Sequence, residues 1–165
     1  MIQKNVMIGL TTVGLAILAT AGGASADEDQ SKCIKVAAHM VEDRSTTGCK
    51  PTESSCFLGE VKGPGLHATT HFKGDSGAAG PSTSPGWISY SGLFEYTSNH
   101  GTIVARETGA VNVTQGNVAS GATTAFQLIT GGTGIFTGAT GYFFVRGFNV
   151  DDHVETEVDG KICLP

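Results

Sequence analysis

The sequence predicts an all-β domain, closed into a small barrel and preceded by an export signal. Three observations carry this. Past Ser31 there is no convincing helical pattern, and short β-prone runs alternate with clusters of glycine, proline, serine and asparagine. That is the rhythm of a sandwich or barrel, not of alternating strands and helices. The glycine-dense stretch Gly131-Gly132-Thr133-Gly134-Ile135-Phe136-Thr137-Gly138-Ala139-Thr140-Gly141 joins two β-prone runs and reads as an antiparallel hairpin. Gly138 and Gly141 bracket its turn. Gly132 and Gly134 fall at strand positions, where a missing side chain marks a bend or a close backbone approach, as at a barrel corner. Finally, four cysteines lie downstream of an apolar leader, the pattern of a disulfide-stapled exported domain.

The leader comes first in the chain. Lys4 precedes an apolar run from Val6 to Leu18, and Ala24-Ser25-Ala26 is a small-x-small cleavage signal before Asp27-Glu28-Asp29. A signal peptide over residues 1–26 and a single domain over 27–165 follow, with secretion to an extracellular or periplasmic space. The apolar run is shorter than the roughly 20 residues of a membrane span. Cleavage removes Lys4 alone among charged residues, leaving 9 Lys and Arg against 15 Asp and Glu. With no basic stripe to neutralise phosphates, nucleic acid is excluded as a partner, and so are anionic membrane surfaces.

The candidate strands are 34–41, 56–62, 66–73, 87–96, 102–108, 123–130, 133–136, 142–149 and 153–164, with loops over 74–86 and 112–121. Cys33 and Cys163 stand at the two ends of the domain, and Cys49 and Cys56 enclose a turn-rich segment. Of the three possible pairings, spacing favours Cys33 with Cys163 and Cys49 with Cys56. No CxxC or helical HxxxH supports a metal site, and no cofactor motif is present, so neither is expected.

The segment Gly92 to Arg106 echoes Gly134 to Arg146 as a second hairpin. With Ser98–Gly101 as its turn, Thr97 faces Thr102 and Phe94 faces Ala105. Tyr90, Phe94, Tyr96, Ile103 and Ala105 then share one face, and Leu93, Glu95, Val104 and Arg106 the other.

The run Phe126-Gln127-Leu128-Ile129-Thr130-Gly131-Gly132-Thr133-Gly134-Ile135-Phe136, with Gly138 and Gly141 after it, resembles the glycine-marked hairpin of the allene oxide cyclase family. Dirigent proteins carry a related Gly-Thr-Gly-x-Phe pattern. Ser98-Asn99-His100-Gly101-Thr102-Ile103-Val104 resembles the turn and strand upstream of that hairpin, and Glu42-Asp43-Arg44 resembles the acidic end of the cyclases' first strand. The resemblance implies an eight-stranded antiparallel β-barrel around an apolar cavity, in proteins that are often homo-oligomers. The positions where the cyclases carry a carboxylate and an asparagine fall on Ala38 and Met40, so their chemistry is not carried over there.

Aromatic and ionisable strand residues make up the expected ligand site: Tyr90, Phe94, Tyr96, Arg106, Tyr142, Phe144 and Arg146, with the arginines as polar anchors in an aromatic cavity. The alternative for the arginines is an ordinary cross-strand pair facing solvent. His39 and Ser76 stand in short motifs that mimic the boxes of chymotrypsin-like proteases, yet only 37 positions separate them, in a chain far too short for those two barrels. His67 and His71, if on one strand, stand roughly 13 Å apart, too far for one ion. Asn112-Val113-Thr114 fits a glycosylation acceptor.

Three functions follow. The first is a secreted carrier of an apolar small molecule, held in the barrel. The second is a cofactor-free cyclase or isomerase, whose discriminator is a carboxylate or histidine pointing into the cavity; with Glu42, Glu60, Glu95 and Glu107 all facing solvent it would lose its general base. The third is a surface-interaction module with no ligand.

Overall fold

The computed structural model describes residues 32–113 and 120–165; residues 1–26, expected to be a signal peptide, and Thr114 of the expected glycosylation triplet lie outside them. Eight strands follow in chain order: β1 (Cys33–Arg44), β2 (Ser55–Gly63), β3 (Leu66–Ala79), β4 (Trp87–Ser98), β5 (Gly101–Asn112), β6 (Gly121–Gly132), β7 (Thr140–Val150) and β8 (His153–Cys163). Each pairs antiparallel with the next, and β8 returns to β1 from Cys33↔Cys163 to Asp43↔His153, closing the barrel. Closure leaves no unpaired edge.

Strand alternation decides what faces inward. Along β1 the buried positions are Val36, Ala38, Met40 and Glu42, and along β4 they include Phe94 and Tyr96. The β4–β5 hairpin has the expected register, with Thr97 opposite Thr102 and Phe94 opposite Ala105. Aromatic rings then climb the interior as a ladder. Phe143 meets Tyr96 edge-on at 5.4 Å, Tyr96 stacks on Phe94 at 4.7 Å, and Phe94 reaches Phe72 at 6.0 Å. Burying side chains of this size contributes about 1.5–3 kcal/mol each, so this end of the lumen is a packed core.

Three segments differ from the sequence expectation. Residues 133–136 are not a strand: Gly134–Phe136 form one turn of 3-10 helix, and β6 pairs with β7 across that segment. Gly134 adopts φ +60°, and a side chain there would collide with the His100 carbonyl, 2.1 Å from the Cβ position. The glycine therefore folds the segment over the β4–β5 turn, where Ile135 N–H donates to His100 O. The second difference lies in the expected loop 74–86, since β3 continues through Gly74 to Ala79 and pairs with β4 past a bulge at Gly74/Ser76. Glycine and serine there serve a bend within a ladder. Asn112 likewise ends β5 and does not begin a loop.

Both disulfides form as spacing suggested, Cys33–Cys163 and Cys49–Cys56. The first staples the ends of β1 and β8, and the second closes the 45–54 loop against β2. Two disulfides are compatible with an oxidising, extracellular setting. Among the described residues no helix is long and apolar enough to cross a membrane.

Candidate functional site

The two ends of the barrel differ. At one end, near the Cys33–Cys163 staple, the lumen is filled behind Tyr96 and Ile103, leaving a broad depression of about 710 Å³ whose ionisable groups, Glu60, His67 and His100, are exposed. At the other end the C-terminal halves of the odd strands and the N-terminal halves of the even strands surround a cup of about 290 Å³. Its volume suits a small ligand, at the lower end of the roughly 300–1,000 Å³ typical of such sites.

Aromatic rings wall the cup. Phe72 packs edge-on against Tyr90 at 5.7 Å and lies 6.4 Å from Phe57. Two glycines make room for them. A side chain at Gly92 would strike the Phe72 ring at 2.6 Å, and one at Gly109 would strike the Tyr90 ring at 2.5 Å. Ile88, Val111 and Val154 complete the apolar lining.

The floor is ionisable. Glu42 of β1 and Glu107 of β5 both point inward, 4 % and 5 % exposed. Thr70 Oγ1 donates to Glu42 Oε1 at 2.8 Å. Gln127 Nε2 donates to Glu107 Oε2, and Gln127 Oε1 accepts from the Tyr96 hydroxyl at 2.5 Å. The Tyr90 hydroxyl lies 3.4 Å from Thr123 Oγ1. Among the described residues neither carboxyl pairs with a Lys, Arg or His; the guanidinium at the mouth, Arg44, turns to Asp152 at 3.0 Å and lies over the Phe57 ring. Burial therefore pushes the Glu42 carboxyl up to about 8, with the charge of Glu107 adding and the Thr70 bond opposing. Burial likewise pushes Glu107 up to about 7, against the hydrogen bond from Gln127. Burial and these carboxylates also raise the Tyr90 and Tyr96 hydroxyls, which stay neutral. Two inward acids are thus poised to exchange protons near neutral pH, inside an apolar wall.

Of the residues expected to line a ligand cavity, Tyr90 lines the cup, while Phe94 and Tyr96 lie deeper, in the packed core. The other four are placed differently. Arg106 faces outward and grips Asp75 through two nitrogens, and Arg146 faces outward to Asp159. Tyr142 and Phe144 also stand outside, packed with Phe126 in a surface aromatic cluster, while Phe143 and Val145 take the interior. Both faces of β7 are apolar, so the sequence alone did not say which one turns inward. Glu95 is outside too, bonded to Lys73 at 2.6 Å, and Glu60 pairs with Lys62.

The protease-like motif separates in space: His39 pairs with Glu157, and Ser76 bonds Ser91. His71 stands 3.3 Å from Cys56 Sγ, and these atoms with Cys49 Sγ lie within 4.8 Å of one another. The sulfurs there are joined to each other and do not offer thiolates.

Glu107 and Glu42 were legible by alternation. Glu107 continues the inward series Ile103, Ala105, and Glu42 continues Val36, Ala38, Met40. No protein-family model matches the chain, and no curated protein matches it significantly.

Proposed function

We propose that the protein is a carrier of a small, mostly apolar molecule, taken into the cup with its polar end toward Glu42 and Glu107. The observation that carries this reading is an aromatic-walled recess with two buried acids at its floor and, among the described residues, no base paired with either. Apolar walls supply affinity and a few convergent polar groups supply orientation. The resemblance to the cyclase and dirigent barrels points to the same use of a barrel interior.

Calorimetric titration with naphthylmethanol tests it. A saturable, one-to-one heat is expected, and Val111→Trp, which fills the cup from its wall, abolishes it without unfolding the barrel. Binding that persists unchanged in a folded Val111→Trp variant would sink the assignment.

A second reading, a cofactor-free isomerase, is favoured by one observation: the inward carboxyls are held near neutrality, where an acid or base transfers protons most effectively. The departure at Ala38 and Met40 is then no obstacle, because Glu42 and Glu107 supply carboxyls from other positions. Proton–deuterium exchange into bound ketones, lost in Glu107→Gln, is its test.

A further inference from the structure

We propose that the natural ligand of the cup is an organic ammonium ion, its cationic head set between Glu42 and Glu107 and its apolar part against Phe57, Phe72 and Tyr90. The inference rests on the cup being the binding site and names the chemical class that fits it.

Three observations on the floor agree. Each carboxyl already receives a hydrogen bond of the kind an anion wants: Thr70 donates to Glu42, and Gln127 to Glu107. What the two acids lack is a cationic partner: among the described residues no basic side chain pairs with either, and Arg44, which lines the cup, is held by Asp152 and over the Phe57 ring. The third polar group exposed by this accounting is another acceptor: Asn149 of β7 lines the cup, and its buried Oδ1 has no hydrogen-bond partner. Unpaired acceptors call for a donor, and two buried acids facing one recess without a basic partner call for a cation.

The walls choose among cations. Aromatic faces attract an ammonium group through their ring quadrupoles, most strongly where water is excluded. Calcium, by contrast, takes 6–8 oxygen ligands and gains nothing from aromatic faces, whereas Phe57, Phe72 and Tyr90, with Ile88, Val111 and Val154, make up much of this lining beside its hydroxyl and amide groups. A volume of about 290 Å³ accommodates a small aryl-alkyl ammonium.

Protonation links to occupancy. The titratable or charged groups lining the cup are Glu42 and Arg44 from β1, Tyr90 from β4 and Glu107 from β5; β2, β3, β6, β7 and β8 contribute hydroxyl, amide, glycine and apolar groups. Arg44 is held by Asp152 and Tyr90 stays neutral, so the two acids set the response. A cation between them favours their ionised forms, and its binding therefore releases protons near neutral pH.

The test compares naphthylmethylamine with naphthylmethanol, and adds benzyltrimethylammonium, whose charge does not titrate. At about pH 8 the amine is expected to bind at least about tenfold more tightly than the alcohol, given the strength of a charge pair in such surroundings. The affinity of benzyltrimethylammonium is expected to rise about tenfold from roughly pH 5.5 to 8.5, with protons released in proportion. Glu42→Gln and Glu107→Gln each remove most of that preference, and the pH series on the native protein stands even if one variant fails to fold. Equal binding of alcohol and amine overturns the ammonium assignment while leaving the carrier reading intact. Binding of the amine to a folded Val111→Trp variant, or displacement of it by millimolar calcium, also overturns the assignment. Absence of binding by all three probes overturns both readings.

Discussion

Glu42→Gln separates a buried, unpaired acid from an ordinary one. The native carboxyl has a pKa of about 8 against 4.5 in the unfolded chain, raised chiefly by burial. An acid raised in this way binds more protons folded than unfolded. Its favourable contribution is therefore fully present below about pH 4.5 and is lost as pH rises through about 8. At roughly 1.4 kcal/mol per unit, the loss across that window is on the order of 5 kcal/mol. Glutamine has the same shape and no charge, and its carbonyl still accepts from Thr70. The variant is thus expected to match the native protein at about pH 4 and to exceed it by several kcal/mol at about pH 9. Guanidinium unfolding followed through Trp87 fluorescence, with both disulfides intact, reads the midpoints. Parallel pH dependence in the two proteins would refute the claim that position 42 carries an uncompensated buried acid.

Further perturbations probe the rest of the frame. Thr156 Oγ1 is buried without a partner, so Thr156→Val is expected to stabilise the barrel by about 1 kcal/mol in the same unfolding assay. Cys33–Cys163 spans 130 positions and Cys49–Cys56 spans 7; loop-closure entropy puts their removal as double serine variants at about 5 and about 2 kcal/mol, and the reverse order by thermal unfolding would contradict that account. Arg106→Ala and Arg146→Ala, which lose outward ion pairs, are expected to leave naphthylmethanol affinity unchanged by calorimetry; a drop in either would return the arginines to the ligand site.

The fold was legible where local pattern decides it. Alternation placed Phe94, Tyr96, Ile103 and Ala105 on one face, and the turn at Ser98–Gly101 set the β4–β5 register as found. Cysteine spacing gave both pairings. Pattern failed where two faces or two conformations satisfy it equally. Tyr142, Phe143, Phe144 and Val145 are apolar on both sides of β7, and only pairing with β6, Phe143 opposite Gln127, turns the odd set inward. Thr133–Phe136 reads as a strand, but it lies over the neighbouring hairpin turn, whose His100 carbonyl takes the Ile135 N–H.

The sequence by itself determined that the chain forms short, alternating strands with glycine-marked turns and cysteines placed to staple its ends, because those properties are written within a few neighbouring residues. Only the tertiary structure decided that Glu42 and Glu107, from strands far apart in the chain, face each other across one cup. That juxtaposition depends on how β8 meets β1 and on which lumen end Tyr96, Phe94 and Phe143 fill, and both are set by the packing of all eight strands together.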